Sequence, residues 1–452
     1  MRICIVFILI VFNASISIAQ QENLNIEAIG YGQIYNSERA PFWFHANRRG
    51  RMDEASYISG LISSSWKMDI GYDSKFEIGG GLLYKDGFEN QVKIDEAYVS
   101  YNTPKVGVIV GSKQKQDLFQ GLSASNENIL WSLNATPIPG IQLFTRDPLF
   151  INEDHGIGFM LSLHEYLLDE ARYIKDARLH HKSFHIVYRS QSEFEIALGV
   201  QHFVQWAGIS EEFGKLPNSF NDYIDVFTGR AGSDDVGGQE VNALGNQIGS
   251  YEIKVKSKFN DLDVQLLYNH IFEDGSGMKM GNLPDGRYAL YVEDDRDTFW
   301  GTSWIKGFMY EFYYTKNQSR DRKSSQRDGS DNYFNNNLYR SGWTYRDQVL
   351  GVPFILLNDD QFRIGTNIIA VHHLGLTGKV FDQLPYRLLL SYRQNYGVKD
   401  SFFQPKREVL SSLIELELIN DQYQLKAQFG ADIKSESNST FGVGLVFSRS
   451  LF

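Results

Sequence analysis

Two adjacent histidine pairs, His180-His181 and His372-His373, are natural candidates for metal ligands. Both fall in stretches that alternate apolar and polar residues. On a strand, neighbouring side chains point to opposite faces, so neither pair closes readily on one ion. No H-E-x-x-H and no paired cysteines accompany them. Glu415 and Glu417 lie two apart, on one strand face. Paired carboxylates can hydrolyse glycosides, but inward-facing Lys426, Arg387 and Arg393 give these two a simpler role as ion-pair partners. The acidic run Glu293-Asp294-Asp295-Arg296-Asp297 offers oxygen ligands for calcium without the spacing of a calcium loop, and reads as a solvated loop. Serines, histidines and aspartates are plentiful, but no G-x-S-x-G elbow presents a nucleophile. The expectation is a protein that is not an enzyme and has neither metal nor cofactor.

The aromatic segments are more suggestive. Phe299, Trp300 and Trp304 follow the acidic run, and Tyr333, Tyr339, Arg340, Trp343, Tyr345 and Arg346 crowd another segment with Asn335, Asn336 and Asn337. Flat rings that stack on sugar faces, beside amides and guanidinium groups that reach hydroxyls and carboxylates, make a candidate carbohydrate surface. Aromatic belts at a membrane interface and simple loop packing use the same residues. The chain is 14% aromatic, with 25 Tyr, 31 Phe and 7 Trp. Its formal charge of −11 argues against a nucleic-acid partner, which wants a basic surface.

These residues are positioned by strands. Leu198 and Val200 alternate with Ala197, Gly199 and Gln201; Leu262, Val264 and Leu266 with Asp263 and Gln265; Leu388 and Leu390 with Arg387 and Ser391; and Phe429 and Ile433 with Gln428 and Lys434. These repeats run for about ten residues, the length of a tilted membrane strand and long for a β-sandwich. The polar faces carry both charge signs, including Lys254, Lys256, Arg387, Arg393, Glu415, Glu417 and Lys426, as a filled, hydrated lumen does. Short turns at Asp73-Ser74, Ser190–Ser192, Asn260-Asp261, Asn358–Asp360 and Asn420-Asp421 alternate with long polar segments at 36–54, 113–135, 208–247, 273–296 and 317–339. Short turns on one side and long loops on the other is the outer-membrane arrangement, with the long loops outside the cell. The reading is all-β: one transmembrane antiparallel up-and-down β-barrel of 16 to 20 strands, with 18 preferred. The up/down count does not close between Tyr339 and Leu384, so a strand is misread there.

Both ends fit export. Residues 1–19 read as a signal peptide: Arg2, an apolar run from Ile3 to Phe12, and Ser17-Ile18-Ala19 before the cut. The barrel then spans residues 20–452. Cys4, the one cysteine, lies inside that signal, too early for a lipid anchor, so the mature chain has no disulfides. The tail Thr440–Phe452 reads as a closing strand, with Phe441, Val443 and Leu445 toward lipid and Phe452 as the signal for the barrel assembly machinery.

At several segments the chain resembles the Wzi capsule-assembly family of outer-membrane proteins. The likeness is carried by Pro41–Asn47 (PFWFHAN), Gly121–Trp131 (GLSASNENILW) with Pro137-Ile138-Pro139, Phe272–Met278 (FEDGSGM), Tyr310–Ser319 (YEFYYTKNQS) and Asp331–Tyr345 (DNYFNNNLYRSGWTY). The resemblance implies an 18-stranded, largely occluded barrel in the Gram-negative outer membrane, with a lectin-like hold on capsular or other surface polysaccharide. It also implies a helical plug at the periplasmic end, but no clear helical segment precedes Asn23. A porin-like channel, with Arg387, Arg393, Lys254, Lys256 and Lys426 lining an anion path, is the competing class.

Overall fold

The computed structural model describes residues 23–451, apart from 72, 89, 90, 153, 154, 233–242, 295, 297–303, 320–330, 359–361 and 382. The wall is a single closed antiparallel barrel of 18 strands. In chain order they are β1 (Leu24–Tyr35), β2 (Ile58–Ile70), β3 (Ser74–Lys85), β4 (Gln91–Asn102), β5 (Val106–Ser112), β6 (Gly140–Thr145), β7 (Gly156–Leu167), β8 (Arg178–Arg189) and β9 (Glu195–Trp206). The second half runs β10 (Asn246–Phe259), β11 (Leu262–Phe272), β12 (Gly286–Asp294), β13 (Gly307–Tyr314), β14 (Ile369–Val380), β15 (Leu384–Val398), β16 (Ser401–Asn420), β17 (Gln424–Lys434) and β18 (Thr440–Ser450). A two-residue segment, Leu149–Phe150, pairs with β7 below β6. The tail strand does close the cylinder. β18 pairs with β17 and with β1, in register from Glu27 with Ser450 to Tyr35 with Gly442. No described helix is long and apolar enough to cross a membrane. Closure pairs the backbone groups of each strand with its neighbours, which is what a spanning sheet requires.

The alternation sorts faces as expected. Leu198, Leu266, Phe429, Phe441, Val443 and Leu445 are exposed on the outside, while Gln201, Asn269, Ser391 and Gln428 are buried inside. Tight turns lie at the end that carries Leu24 and Ser450. Asp73 and Asn260 adopt left-handed backbone there (φ 61° and 56°), which Asp and Asn tolerate. Long loops at 36–57, 113–139, 207–245 and 315–368 occupy the other end, the outward one in this fold class.

Two expected loops are corrected. Residues 273–296 contain β12, whose first residue, Gly286, sits at φ 145°, where a Cβ would lie 2.0 Å from the Asn269 carbonyl oxygen. Residues 317–339 are only the start of a loop that runs to 368. Asn358 lies inside that loop and not in a turn between wall strands, and residues 359 and 360 lie outside the described residues. That single long loop closes the up/down count.

The hydrated lumen expected from the wall charges is also corrected. Three long loops fold inward, and the largest hydrophobic cluster joins them to inward wall residues such as Phe203, Tyr291, Met309, Val371 and Leu413. The loop after β1 supplies a short helix, α1 (Phe42–His45), with Phe42, Trp43 and Phe44 buried. The Phe44 ring fills the gap left by two wall glycines: a Cβ at Gly430 or Gly442 would stand 2.6 or 2.9 Å from it. Loop 113–139 descends furthest. Leu122 packs on Gly375, Gln120 Nε2 donates to Glu293 Oε1 (2.5 Å), and Arg387 Nη1 donates to Gly121 O (3.3 Å). Glu293 and Arg387 lie within four residues of the short-turn ends of their strands, so this loop runs through most of the barrel.

Candidate functional site

Four of the aromatics expected on a loop surface are interior. Tyr333 and Trp343 have no exposure, and Tyr339 and Tyr345 have almost none. Their polar handles are already engaged, as buried Tyr and Trp require. Tyr333 OH donates to Asp285 Oδ2 (2.9 Å), Tyr339 OH to Ala207 O (3.1 Å) and Trp343 Nε1 to Leu130 O (2.7 Å). These rings hold the plug together and are not a stacking surface. Trp304 is exposed, but in the segment that joins β12 to β13 at the short-turn end, where Tyr386 OH donates to its carbonyl (2.8 Å). It is therefore at the opposite end of the barrel from Arg340 and Arg346. Trp300, Phe452 and the expected signal peptide 1–19 lie outside the described residues.

Arg340 and Arg346 do come together, with partners that sequence reasoning missed. A two-residue hairpin pairs Thr344 with Val349 and Tyr345 with Gln348, leaving Arg346-Asp347 at its tip. Both tip residues are left-handed, at φ 46° and 58°. A two-residue hairpin asks for positive φ at both positions, which normally selects Asn or Gly. Here the backbone is held from outside: Asp169 Oδ2 accepts from Arg346 N (3.0 Å). Buried Arg172 donates to Thr344 O (2.6 Å) and Gly342 O (3.1 Å). The next residue, Tyr173, donates its N–H to Ser341 Oγ (2.8 Å), and the Arg340 guanidinium lies 4.7 Å over the Tyr173 ring. Arg363 N donates to Arg340 O (3.0 Å), and the Arg363 guanidinium pairs with Asp347 at 3.5 Å. The result is a crown on the long-loop end: a partly exposed tyrosine ring, three guanidinium groups, Asn337 and Asp347. Such a set can receive carboxylates and hydroxyls by charge-assisted and bidentate hydrogen bonds. The signal that could have found Tyr173 is its place in 168–177, a polar break between two alternating stretches.

Asp285 and Glu273 stitch the 315–368 loop to the 273–285 loop, and Asp331 braces the 315–368 loop internally. Asp285 accepts from Asn317 N (2.9 Å), Gln318 N (2.6 Å) and Tyr333 OH. Glu273 accepts from Asn332 N (3.0 Å) and Phe334 N (3.1 Å), and Asp331 from Ser319 Oγ (2.6 Å). Burial pushes the Asp285 carboxyl up to about 7, against the pull of its donors, and Asp331 up to about 6; Glu273 is raised well above its ordinary value by burial and by Asp331. Among the described residues no cluster of three His, Cys, Asp or Glu side chains is placed to hold a metal.

Several inward wall charges answer one another. Glu415 meets Arg387 (3.1 Å), Lys426 (3.7 Å) and Gln428 (2.5 Å). Glu417 instead accepts from Asn420 and Gln424, both at 2.7 Å. Arg393 donates to Ser411 Oγ (2.8 Å) and caps the Phe42 ring at 4.0 Å. Lys254 and Lys256 stand apart on β10, with Lys256 opposite Glu195. The histidine pairs split across the wall. His181 stacks on Phe203 inside at 4.0 Å and His180 packs on Phe227 outside; His373 is buried against Leu122 O (2.7 Å) while His372 meets Tyr310 OH (2.8 Å).

No protein-family model matches the chain, and no curated protein matches it. Among solved structures it is similar to Wzi of Escherichia coli, described as an outer-membrane protein involved in group 1 capsule assembly and a carbohydrate-binding β-barrel. The TM-score is 0.60 at 12% identity, over 94% of this chain and 84% of that one. Two Pseudomonas aeruginosa barrels align less well: OccK5 (OpdH), TM-score 0.48 at 8% identity over 95% and 97% of the two chains, and OprD, 0.47 at 10% over 95% and 94%. At such identities the likeness is one of fold, and the fold is that of an 18-stranded outer-membrane β-barrel, shared with Wzi.

Proposed function

We propose that this protein is a lectin-like outer-membrane barrel that holds capsular or other surface polysaccharide at the cell surface. The observation that carries the reading is the crown of Tyr173, Arg340, Arg346 and Arg363, mounted on a plug that packs into the wall and on backbone held by hydrogen bonds at Tyr173, Arg346 and Arg363. Preorganised donors lose less on binding than mobile ones. The fold shared with a carbohydrate-binding barrel supports the same reading. In it the wall sits among outer-membrane lipids, the guanidinium groups take carboxylates and hydroxyls of the glycan, and no bond is made or broken. One crown binds weakly, and many copies together retain a long polymer.

The test is a pull-down with the host's own surface polysaccharide. The double variant Arg340→Ala/Arg346→Ala should retain roughly tenfold less, the loss of one or two charge-assisted hydrogen bonds. Retention at the wild-type level in a correctly assembled variant refutes the crown. The competing diffusion channel needs an open path, and both the packed lumen and the ion pairs of Arg387, Arg393 and Lys426 speak against it. Steady single-channel conductance of the unmodified protein in planar bilayers would favour the channel.

A further inference from the structure

The loop between β9 and β10 does not only rise above the barrel; it folds down over the outer wall. Its helix α2 (Phe220–Thr228) is fixed at the start by a capping box, Ser219 Oγ accepting from Asp222 N (3.3 Å) and Asp222 Oδ2 from Ser219 N (2.6 Å). Gly229 ends it in left-handed backbone (φ 67°). One face buries Val226 against Val204 and Trp206, which share the outward parity of exposed Leu198. The other face leaves Phe220 (76%), Ile224 (38%) and Phe227 (39%) exposed.

Below this helix lies an apolar groove of about 470 Å³ on the same outer wall, formed by Leu143, Leu161, Leu163, Phe184, Val200 and Phe227. That volume falls within the ~300–1,000 Å³ range of small-molecule sites. The groove runs from Phe227 and Lys182, on the long-loop side, toward Val106 and Thr145 on the short-turn side, and it is continuous with the lipid-facing belt. Lys182 breaks that belt. It is the fifth residue of β8, ~13 Å along the strand from its outer end at ~3.3 Å per residue. Its ammonium sits 4.2 Å over the Phe227 ring and donates to Phe227 O, which among the described residues takes one of its three N–H groups. Of the other polar side chains on this outer face, His202 is bonded to Gln247 (3.1 Å), and His180 to the carboxylate of Glu165 (2.5 Å), two residues along β7 from the partner of Lys182. A lysine on the lipid face of a barrel is unfavourable unless it meets the interface or a counter-charge.

We infer that the groove is a site for one outer-leaflet lipid, with an acyl chain along Leu143, Leu161, Leu163 and Val200 and an anionic headgroup on Lys182, under the roof made by α2. The direction of the groove, cation toward the outer face and apolar floor toward the membrane interior, matches the direction of such a lipid. The occupant is a membrane lipid whose phosphate headgroup carries a net negative charge.

Native mass spectrometry of the full chain released from detergent micelles tests this, with phosphatidylglycerol as the probe and phosphatidylcholine of the same chains as the control. One phosphatidylglycerol should stay bound under conditions that strip phosphatidylcholine. Lys182→Gln should lower its occupancy about fivefold, the worth of ~1 kcal/mol for one lysine at an anionic lipid surface. Leu163→Trp, which fills the groove, should lower retention of both lipids; where it fails to assemble, Lys182→Gln decides. Equal retention of the two lipids by the unmodified protein, or unchanged phosphatidylglycerol occupancy in Lys182→Gln, overturns the site.

Discussion

Arg287 of β12 and Glu311 of β13 form a wholly buried ion pair, Nη2 to Oε1 at 2.8 Å, with neither side chain exposed. Glu311 also accepts from Ser123 Oγ and Ala124 N, both at 2.7 Å, so the pair bolts the descending loop 113–139 to the wall. Removing one member strands the other charge. Glu311→Ala should destabilise the plugged barrel by ~3–5 kcal/mol, read as a lower denaturant midpoint in micelles. The loosened loop should also admit current steps in planar bilayers. An unchanged midpoint contradicts the bolt.

Arg346 separates structure from function in a single substitution. Its backbone is left-handed at φ 46°, a conformation that costs a non-glycine residue ~1 kcal/mol or more and glycine almost nothing. Arg346→Gly should therefore keep or slightly raise stability while lowering polysaccharide retention. Thermal unfolding and pull-down on the same preparation check both halves.

Trp343 behaves in the opposite way. Its ring is fully buried beside Phe203 at 5.5 Å, and its Nε1 serves Leu130 O. Trp343→Ala should cost ~3–5 kcal/mol by leaving a cavity in the plug. Trp343→Phe should recover much of that loss. Equal stability of Trp343→Ala and the wild type would show that the plug does not rely on this ring.

The carboxylate junction between loops 273–285 and 315–368 should respond to pH. Asp285 and Asp331 have folded-state values of about 7 and about 6, above the ~3.9 of an unfolded aspartate. A raised folded value means that the contribution is full below the unfolded value and fades as pH rises through the folded one. The junction should thus be firmest near pH 4 and loosen up to about pH 7. Limited proteolysis within loop 315–368, normalised for protease activity at each pH, should show faster cleavage at pH 8 than at pH 5.5. Asp285→Asn combined with Asp331→Asn should flatten that difference.

Most of the wall was legible because its strands repeat one physical rule. Leu262 to Phe272 alternate so plainly that both the span and the lipid-facing side could be read from residue types. β12 was not legible, because Gly286–Asp294 is bracketed by a Gly-Asn-Leu-Pro-Asp-Gly stretch and an acidic run, and both look like loop. The interior was harder still. Val349–Leu357 is as apolar as a wall strand yet belongs to the plug, and only its burial among Ile129, Phe334 and Trp343 distinguishes the two. For the same reason composition could not tell the buried rings of Tyr333, Tyr339, Trp343 and Tyr345 from an exposed sugar platform. Trp304, grouped with the aromatic loop segments, lies at the short-turn end because β12 carries the chain across the wall just before it. Tyr173 and Arg363 escaped notice because their neighbourhood is assembled from segments nearly two hundred residues apart.

The glycines that face inward at 375, 430 and 442 make the cylinder a mould cast around its own stopper. Phe44 and Leu122 occupy hollows that a single methyl group would close. Stopper and casing must therefore change in step as sequences diverge: a loop transplanted from a sister barrel would arrive without its matching recesses, and a casing altered at these three positions would eject the stopper it was shaped to keep.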